Sequence, residues 1–314
     1  MANETTVTSL TETVQAEWIS PYFQAHATHY GNPSQFAAPW NPTNGSSTIA
    51  VPRWVSDLGT PADRGAAVDT EFDATEATAL SNLELETTES TFSVTEYAIQ
   101  REVSYTVAED SIAGDLFGYI MQDAARILST AANSTMTGDF ASFSNSSGTT
   151  TANLALADLD DALYDLAERG IIGTLVGVLD HQQVRDFFDA VVASAANTTV
   201  YSAAADRVMQ VQAEGTGGRN DDGLVFSYKG VPFHRSGLCL TANAAADVVG
   251  AIFVRGDLEA NRPMAAYGQA SRRPFMIETD KDISKRTVKL VGSMRWGCGI
   301  TQNVAGQKIV TDAP

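Results

Sequence analysis

The stretch SRRPFMIETDKDISKRTVKLVGSMRWG, residues 271–297, decides how the chain is read. It gathers seven of the twenty cations of a chain whose net charge is −18: Arg272, Arg273, Lys281, Lys285, Arg286, Lys289 and Arg295. From Lys285 onward the residues alternate. Val288, Leu290, Met294 and Trp296 fall on one face; Lys285, Thr287, Lys289, Ser293 and Arg295 fall on the other, with Val291 the exception. Period-2 alternation of this kind marks a strand with one dry and one wet side. A cationic strand face in an acidic protein calls for an acidic counterpart.

That counterpart lies earlier, in LELETTESTFSVTEYAIQREVSYTVAED, residues 83–110. Leu83, Leu85, Tyr97, Ile99, Val103, Tyr105 and Val107 share one parity, and Glu84, Glu86, Glu96, Gln100, Glu102, Ser104 and Thr106 share the other. The phase slips near Phe92 and Val94, which predicts a turn, bulge or bend there. Charge is segregated along the chain. Residues 1–110 carry 3 cations against 16 acids, residues 111–254 carry 7 against 16, and residues 255–314 carry 10 against 6. An acidic surface repels phosphate, so direct nucleic-acid binding by the whole chain is disfavoured. All five lysines lie at or beyond Lys229, against fifteen arginines, and Asp outnumbers Glu. That balance is also what proteins adapted to strong brine show, and it raises the expectation of a halophilic host.

At 314 residues the chain is long enough for a large core and, at ~150 residues per domain, for about two domains. Hydrophobic content of 44% with four Trp, thirteen Phe and nine Tyr places it among folded proteins. The longest apolar runs, such as VVGAIFV (248–254), fall short of the ~20 residues a membrane helix needs. MANETTVTSL has neither the basic nor the apolar region of a secretion signal. Cys239 and Cys298 stand apart with no CxxC spacing and read as small apolar core residues of a reducing compartment.

Working outward, STIAVPRWV (47–55) reads as a strand whose Pro52 favours a sheet edge. It follows an arm, residues 1–46, and precedes a long polar acidic stretch, residues 56–82. Asp110 or Ser111 can cap a helix carrying Ile112, Leu116, Ile120, Ala124, Ile127/Leu128 and Ala131, running to about Asn133. LADLDDALYDLAERG is a second helix with Gly170 as its stop. TLVGVLD (174–180) is a buried strand feeding a third helix, with capping-box spacing at Asp180 and Gln183 and an apolar stripe of Val184, Phe187, Phe188, Val191 and Val192. LVFSYKGVPFHR (224–235) is a hairpin turning at Lys229-Gly230, and VVGAIFV and QKIVTD are further strands.

Patterns that carry chemistry are weak. HATH, with His26 and His29, has metal-like spacing but no third ligand nearby and reads as a polar pair in the arm. NDDG (220–223) lacks the closing Glu of a calcium loop, and GTGG (215–218) has no following Lys-Ser/Thr. The carboxylates of residues 69–89 suggest an acid pair, but their Thr/Ala-rich setting reads as a solvated surface. No catalytic residue, cofactor or metal is expected.

The order of elements is more informative than any single motif. TIAVPRWV enters an extended loop, and STFSVTEYAIQREVSYTVAEDS leads into a spine-like helix. ALADLDDALYDLAERG, GTLVGVLDHQQVRDFF, GLVFSYKGVPFHRSG and the closing KRTVKLVGSMRWG follow in turn. Over residues 47–311 this order resembles the major capsid proteins of tailed double-stranded DNA viruses, whose shell fold is shared with encapsulins. The resemblance implies an α+β fold: an N-terminal arm (1–46), an extended β loop (47–100), a peripheral domain with spine helix (101–170) and long strands (271–298), an axial domain (171–270), and a C-terminal segment (299–314) returning to the axial domain. It implies a structural protein, not an enzyme, that assembles in the host cytoplasm with itself as pentamers and hexamers and ends in the virion. It implies DNA enclosed without sequence-specific contacts, no membrane, and separate scaffold, portal and decoration proteins. Residues 1–228 contain no lysine, so a lysine cross-link from the extended loop is ruled out, and the arm is too short for a fused scaffold.

Subunit contact is expected where Glu84 and Glu86 of one copy meet Lys285, Lys289 and Arg295 of another. The alternative is pairing within one subunit, with Glu102 opposite Lys289. Two other functional readings stand beside the shell: an acidic virion or tail-associated binding module, and an encapsulin-type cage without DNA. A carboxylate hydrolase using residues 69–89 is a third.

Overall fold

The computed structural model describes residues 33–40, 47–54, 87–105, 116–171, 173–197, 224–242, 246–258 and 264–312. Two sheets organise them. The first has four strands in the order β1-β11-β12-β4, formed by β1 (Ala38–Pro39), β4 (Thr95–Ser104), β11 (Tyr267–Asp282) and β12 (Thr287–Ile300). The quoted stretch is its centre: β11 and β12 form one long antiparallel hairpin, and β4 pairs along β12 from Thr95 opposite Trp296 to Ser104 opposite Thr287. The alternation read from the sequence holds. Val288, Leu290, Met294 and Trp296 are buried beneath a helix, α1 (Leu116–Gly138), whose Met121, Ala124, Leu128 and Ala132 supply the facing stripe.

The helix ends five residues beyond the expected Asn133. Ser134 and Thr135 donate their hydroxyls back to the Ala131 carbonyl (3.0 and 2.8 Å), and Thr137 does the same to Asn133 (3.2 Å). Met136 and Thr137 are buried, so packing carries a polar tail that propensity alone reads as a loop. The expected helix start at Asp110 or Ser111 lies outside the described residues.

The second sheet runs β5-β13-β10-β6-β8-β7, with β9 also on β10. Its strands are β5 (Ser146–Ser147), β6 (Leu175–Leu179), β7 (Leu224–Tyr228), β8 (Val231–Arg235), β9 (Leu240–Ala242), β10 (Asp247–Val254) and β13 (Gly306–Asp312). The hairpin β7–β8 turns through Lys229 and Gly230, both at positive φ. Every residue of β10 is buried, as its unbroken apolar run requires of a central strand. Two helices cover one face, α2 (Leu156–Glu168) and α3 (His181–Asn197). Leu159, Leu166, Val184 and Phe187 pack there against Phe226, Phe233 and Ile252, with Phe187 stacked on Phe226 at 4.1 Å. Gly170, at φ 70°, ends α2 as expected. The 101–170 segment of the sequence therefore divides: α1 packs on the first sheet and α2 on the second.

The two sheets share a core. Leu128 and Met136 of α1, Met294 and Trp296 of β12, and Val176, Val249 and Phe253 of the second sheet form one buried cluster with Tyr267. Residues 33–40 thread into it: Ala38 pairs with Gly268, and the Gly256 N–H donates to the Phe36 carbonyl (2.7 Å). A third element is an antiparallel ribbon of β2 (Thr48–Trp54) and β3 (Thr87–Ser93). It joins β4 through Val94, where the sequence predicted the break.

Candidate interaction surface

The polar face of the first sheet is built from rows that cross three strands. Lys289 of β12 stands opposite Glu102 of β4 and Asp280 of β11, and its ammonium lies 3.5 Å from Asp282 Oδ2. Arg295 stands opposite Glu96 and Arg273, and Glu96 is ion-paired to Arg273. Glu102 accepts a hydrogen bond from the Thr287 hydroxyl (2.8 Å). The Asp280–Lys289–Glu102 row alternates acid and base inside one chain, whereas the Arg273–Arg295–Glu96 row sets two cations beside one acid; each exposed pair is worth about 0–1 kcal/mol. The register places Glu102 opposite Lys289, the pairing within one subunit that the strand parity allowed. Glu84 and Glu86 lie outside the described residues. The edge strand is tied to α1 by Asp123, which receives Arg101 (2.9 Å) and Arg126 (2.8 Å). The Arg126 hydrogen bond, with Arg101 adding to it, holds that carboxyl below the usual range.

At one end of the sheet the ribbon is seated on glycines. Phe92 lies over Gly299, where a Cβ would come within 2.5 Å of the Phe92 Cβ, and a Cβ on Gly297 would strike the Ser93 carbonyl. The alternating G-x-G at 297–299 removes side chains from the polar face so that the ribbon can cross it. Ile49, Val51, Phe92, Val94 and Ala270 close the seat as a small apolar cluster with Trp40.

At the other end is the β11–β12 turn. Asp282 organises it: its Oδ1 accepts the Ser284 N–H (3.1 Å), the Ser284 hydroxyl (2.5 Å) and the Lys285 N–H (3.2 Å). The Ser284 hydroxyl and the Lys285 N–H hold the Asp282 carboxyl below its ordinary pKa. Arg286 takes a positive φ of 55°, and Ile283 points outward with 86% of its surface exposed. Lys281, Lys285 and Arg286, all exposed, lie near it in the chain, with Asp282 immediately before it.

No family model and no curated sequence relative matches the chain. Solved structures do. The capsid of Ralstonia phage GP4 superposes with a TM-score of 0.61 at 10% identity, covering 89% of this chain and 87% of that one. The capsid of cyanophage P-SCSP1u gives 0.59 at 11% identity, covering 90% and 89%. This chain has the tailed-phage capsid fold. A virus-like particle from Pyrococcus furiosus matches the same capsid fold at a TM-score of 0.53 and 10% identity, covering 93% of this chain and 98% of that one. At such identities the likeness is one of topology, which is why the order of elements carried it and no motif did.

HATH, NDDG and GTGG lie outside the described residues, as do the carboxylates at 69–86; Glu89 is exposed on the ribbon. Among the described residues no cluster of His, Cys, Asp and Glu could hold a metal ion, and no helix is long and apolar enough to cross a membrane. Cys298 is buried and in no disulfide, with burial pushing its thiol pKa up. Gln183 does more than cap α3: its amide also donates to the carbonyls of Val248 (3.3 Å) and Ile309 (3.1 Å) and to Thr311 Oγ1 (3.0 Å). Asp186, 3% exposed, has Oδ1 bonded by Gln182 (2.9 Å) and Oδ2 without a partner, and burial raises its pKa. Sequence reading missed Ile283 as an exposed side chain and Asp282 as the organiser of its turn. The Asp-Ile-Ser spacing, an acid two residues before a serine N–H, is the signal that was there to find.

Proposed function

We propose that this chain is the major shell subunit of a tailed virus, assembling through pentamers and hexamers into a closed icosahedral capsid around double-stranded DNA. One observation carries the reading: nine-tenths of the chain follows the capsid fold. The four-stranded sheet with α1 serves as the peripheral part, and the seven-stranded sheet with α2 and α3, completed by β13, as the axial part. Residues 55–86 continue from the ribbon and overlap a neighbour. The acidic residues Glu84 and Glu86 of one copy meet the cationic end of the next, where Lys285 is the most accessible partner and Lys289 and Arg295 are shared with acids of their own sheet. The role is structural and non-catalytic, and the protein resides in the virion after assembly in the host cytoplasm. A portal, a scaffold and a decoration protein are its further partners, and the net negative charge keeps packaged DNA off the wall. Sedimentation of the protein expressed alone tests this: rings or closed particles are expected, while a sharp monomer at every salt concentration sinks the shell and favours a binding module.

A further inference from the structure

We infer that the free edge of β4 pairs with the same edge of a second copy across a two-fold axis, joining two four-stranded sheets into one; the inference goes beyond the shell reading and rests on the geometry of the strand itself. Among the described residues β4 ends its sheet, with β12 on one side and no strand on the other. The opposite edge is blunted. Past the two residues paired to β1, strand β11 carries Arg272, Arg273 and Pro274, and its register shifts between Ser271 and Arg273 and again between Arg273 and Met276. Strand β4 has neither proline nor bulge: its pairing with β12 runs unbroken from Thr95 to Ser104. Its three charges are drawn onto its own chain. Glu96 is ion-paired to Arg273, Arg101 reaches Asp123 of α1 (2.9 Å), and Glu102 accepts the Thr287 hydroxyl (2.8 Å). An edge left this regular is a template for another strand.

The backbone shows which groups face outward. The Tyr105 N–H donates to the Arg286 carbonyl (3.0 Å), one step beyond the Ser104–Thr287 pair. Bonded pairs alternate along an antiparallel ladder, so the odd-numbered residues of β4 turn their N–H and C=O toward β12. Those of Glu96, Ala98, Gln100, Glu102 and Ser104 therefore turn to the free edge. An antiparallel partner must set outward groups against outward groups, and in a pairing of β4 with itself that places even residues opposite even residues.

Charge then selects one register. With Gln100 opposite its own copy, Ala98 faces Glu102 and Glu96 faces Ser104 on the polar side. On the α1 side Tyr97 faces Val103 and Ile99 faces Arg101, so no like charges meet. A slip of two residues one way sets Glu96 against Glu102, and a slip the other way sets Arg101 against itself. Tyr97 and Ile99 are only half-buried in one copy, and this pairing covers them. A strand that pairs with itself makes an isologous contact, which closes a dimer; in a shell of rings such a contact links one ring to the next.

The test uses full-length Gln100→Cys and a bis-methanethiosulfonate with a two-carbon linker. Position 100 occurs once per chain, so a 100–100 link read by peptide mass spectrometry joins two copies, and that link is expected. A mixture of Ala98→Cys and Glu102→Cys should link 98 to 102, while neither variant links to itself. Charge gives a second readout. Gln100→Glu and Gln100→Lys each put like charges on the axis, so each alone should associate roughly fivefold more weakly in sedimentation at an unchanged melting temperature. An equimolar mixture of the two should recover wild-type association. Absence of the 100–100 link, a self-link from position 98 or 102, or no recovery in the mixture would overturn the inference. Linked dimers that build no closed particle would sink the shell and uphold the edge pairing; closed particles without the link would do the reverse.

Discussion

Phe92→Ala should release the ribbon and leave both sheets standing. Phe92 is 6% exposed and is the largest residue of the small cluster that fastens β2 and β3 to the first sheet. Truncating a buried Phe to Ala costs about 3–5 kcal/mol. The lower end applies here, because the seat is at the rim and the ribbon can settle into part of the space. The ribbon has only two strands, and such hairpins are marginal on their own, so a loss of about 3 kcal/mol is enough to detach it. At ~1.4 kcal/mol per factor of ten, that is roughly a 140-fold loss of protection for amides that exchange by local opening. Hydrogen exchange read by mass spectrometry should show that loss across β2 and β3. The amides of β6 and β10, whose side chains lie in the shared core and not in the ribbon's cluster, should exchange as in the wild type. Gly299→Ala should act in the same direction, since its Cβ would sit 2.5 Å from that of Phe92. Unchanged ribbon amides in Phe92→Ala, or a parallel loss in β10, would refute the view that this cluster alone fastens the ribbon.

Three further outcomes are expected. Asp186 has a raised folded-state pKa, mainly from burial, so its ionised form is penalised at neutral pH and the penalty fades as pH falls from the raised value toward the ordinary one. Asp186→Asn should therefore be more stable than wild type at pH 7 by about 1 kcal/mol or more, with the gap closing toward pH ~4 in melting curves. Particles should be most stable in high salt and loosen on dialysis to low salt. Each subunit carries −18, and the Debye length falls from about 30 Å at 0.01 M to about 3 Å at 1 M, as light scattering can follow. Shells that survive low salt and dissociate in high salt would show that ion pairs dominate and would remove the argument for a halophilic host. Deleting residues 57–79 should leave a folded subunit, by circular dichroism, that does not assemble; loss of folding would place the segment in the subunit core.

Much of the fold was legible because it rests on local patterns. The alternation from Val288 to Trp296, the slip at Val94, the Lys229-Gly230 turn, the Gly170 stop and the Asp180/Gln183 cap each follow from the chemistry of a few neighbouring residues. What the sequence hid depends on distant partners. Nothing beside Gly297 and Gly299 in the chain shows that Ser93 and Phe92, about two hundred positions away, occupy the space above them. Helix α2 sits beside α1 in the chain, yet packs on the other sheet because Leu159 and Leu166 meet Phe226 and Ile309. The contact residues were legible only in part. Strand parity showed that Lys289 and Arg295 share a face, but only the register shows that Lys289 lies between Glu102 and Asp280, and Arg295 between Glu96 and Arg273. Exposure of Ile283 follows from the turn geometry, which no hydrophobic pattern encodes.

Negative-stain microscopy of the purified protein, expressed alone and held in high salt, tests the central claim most directly. The account predicts closed particles of uniform size, or the rings from which they are built. A field of separate monomers, under every salt condition and with the protein folded by circular dichroism, would contradict it.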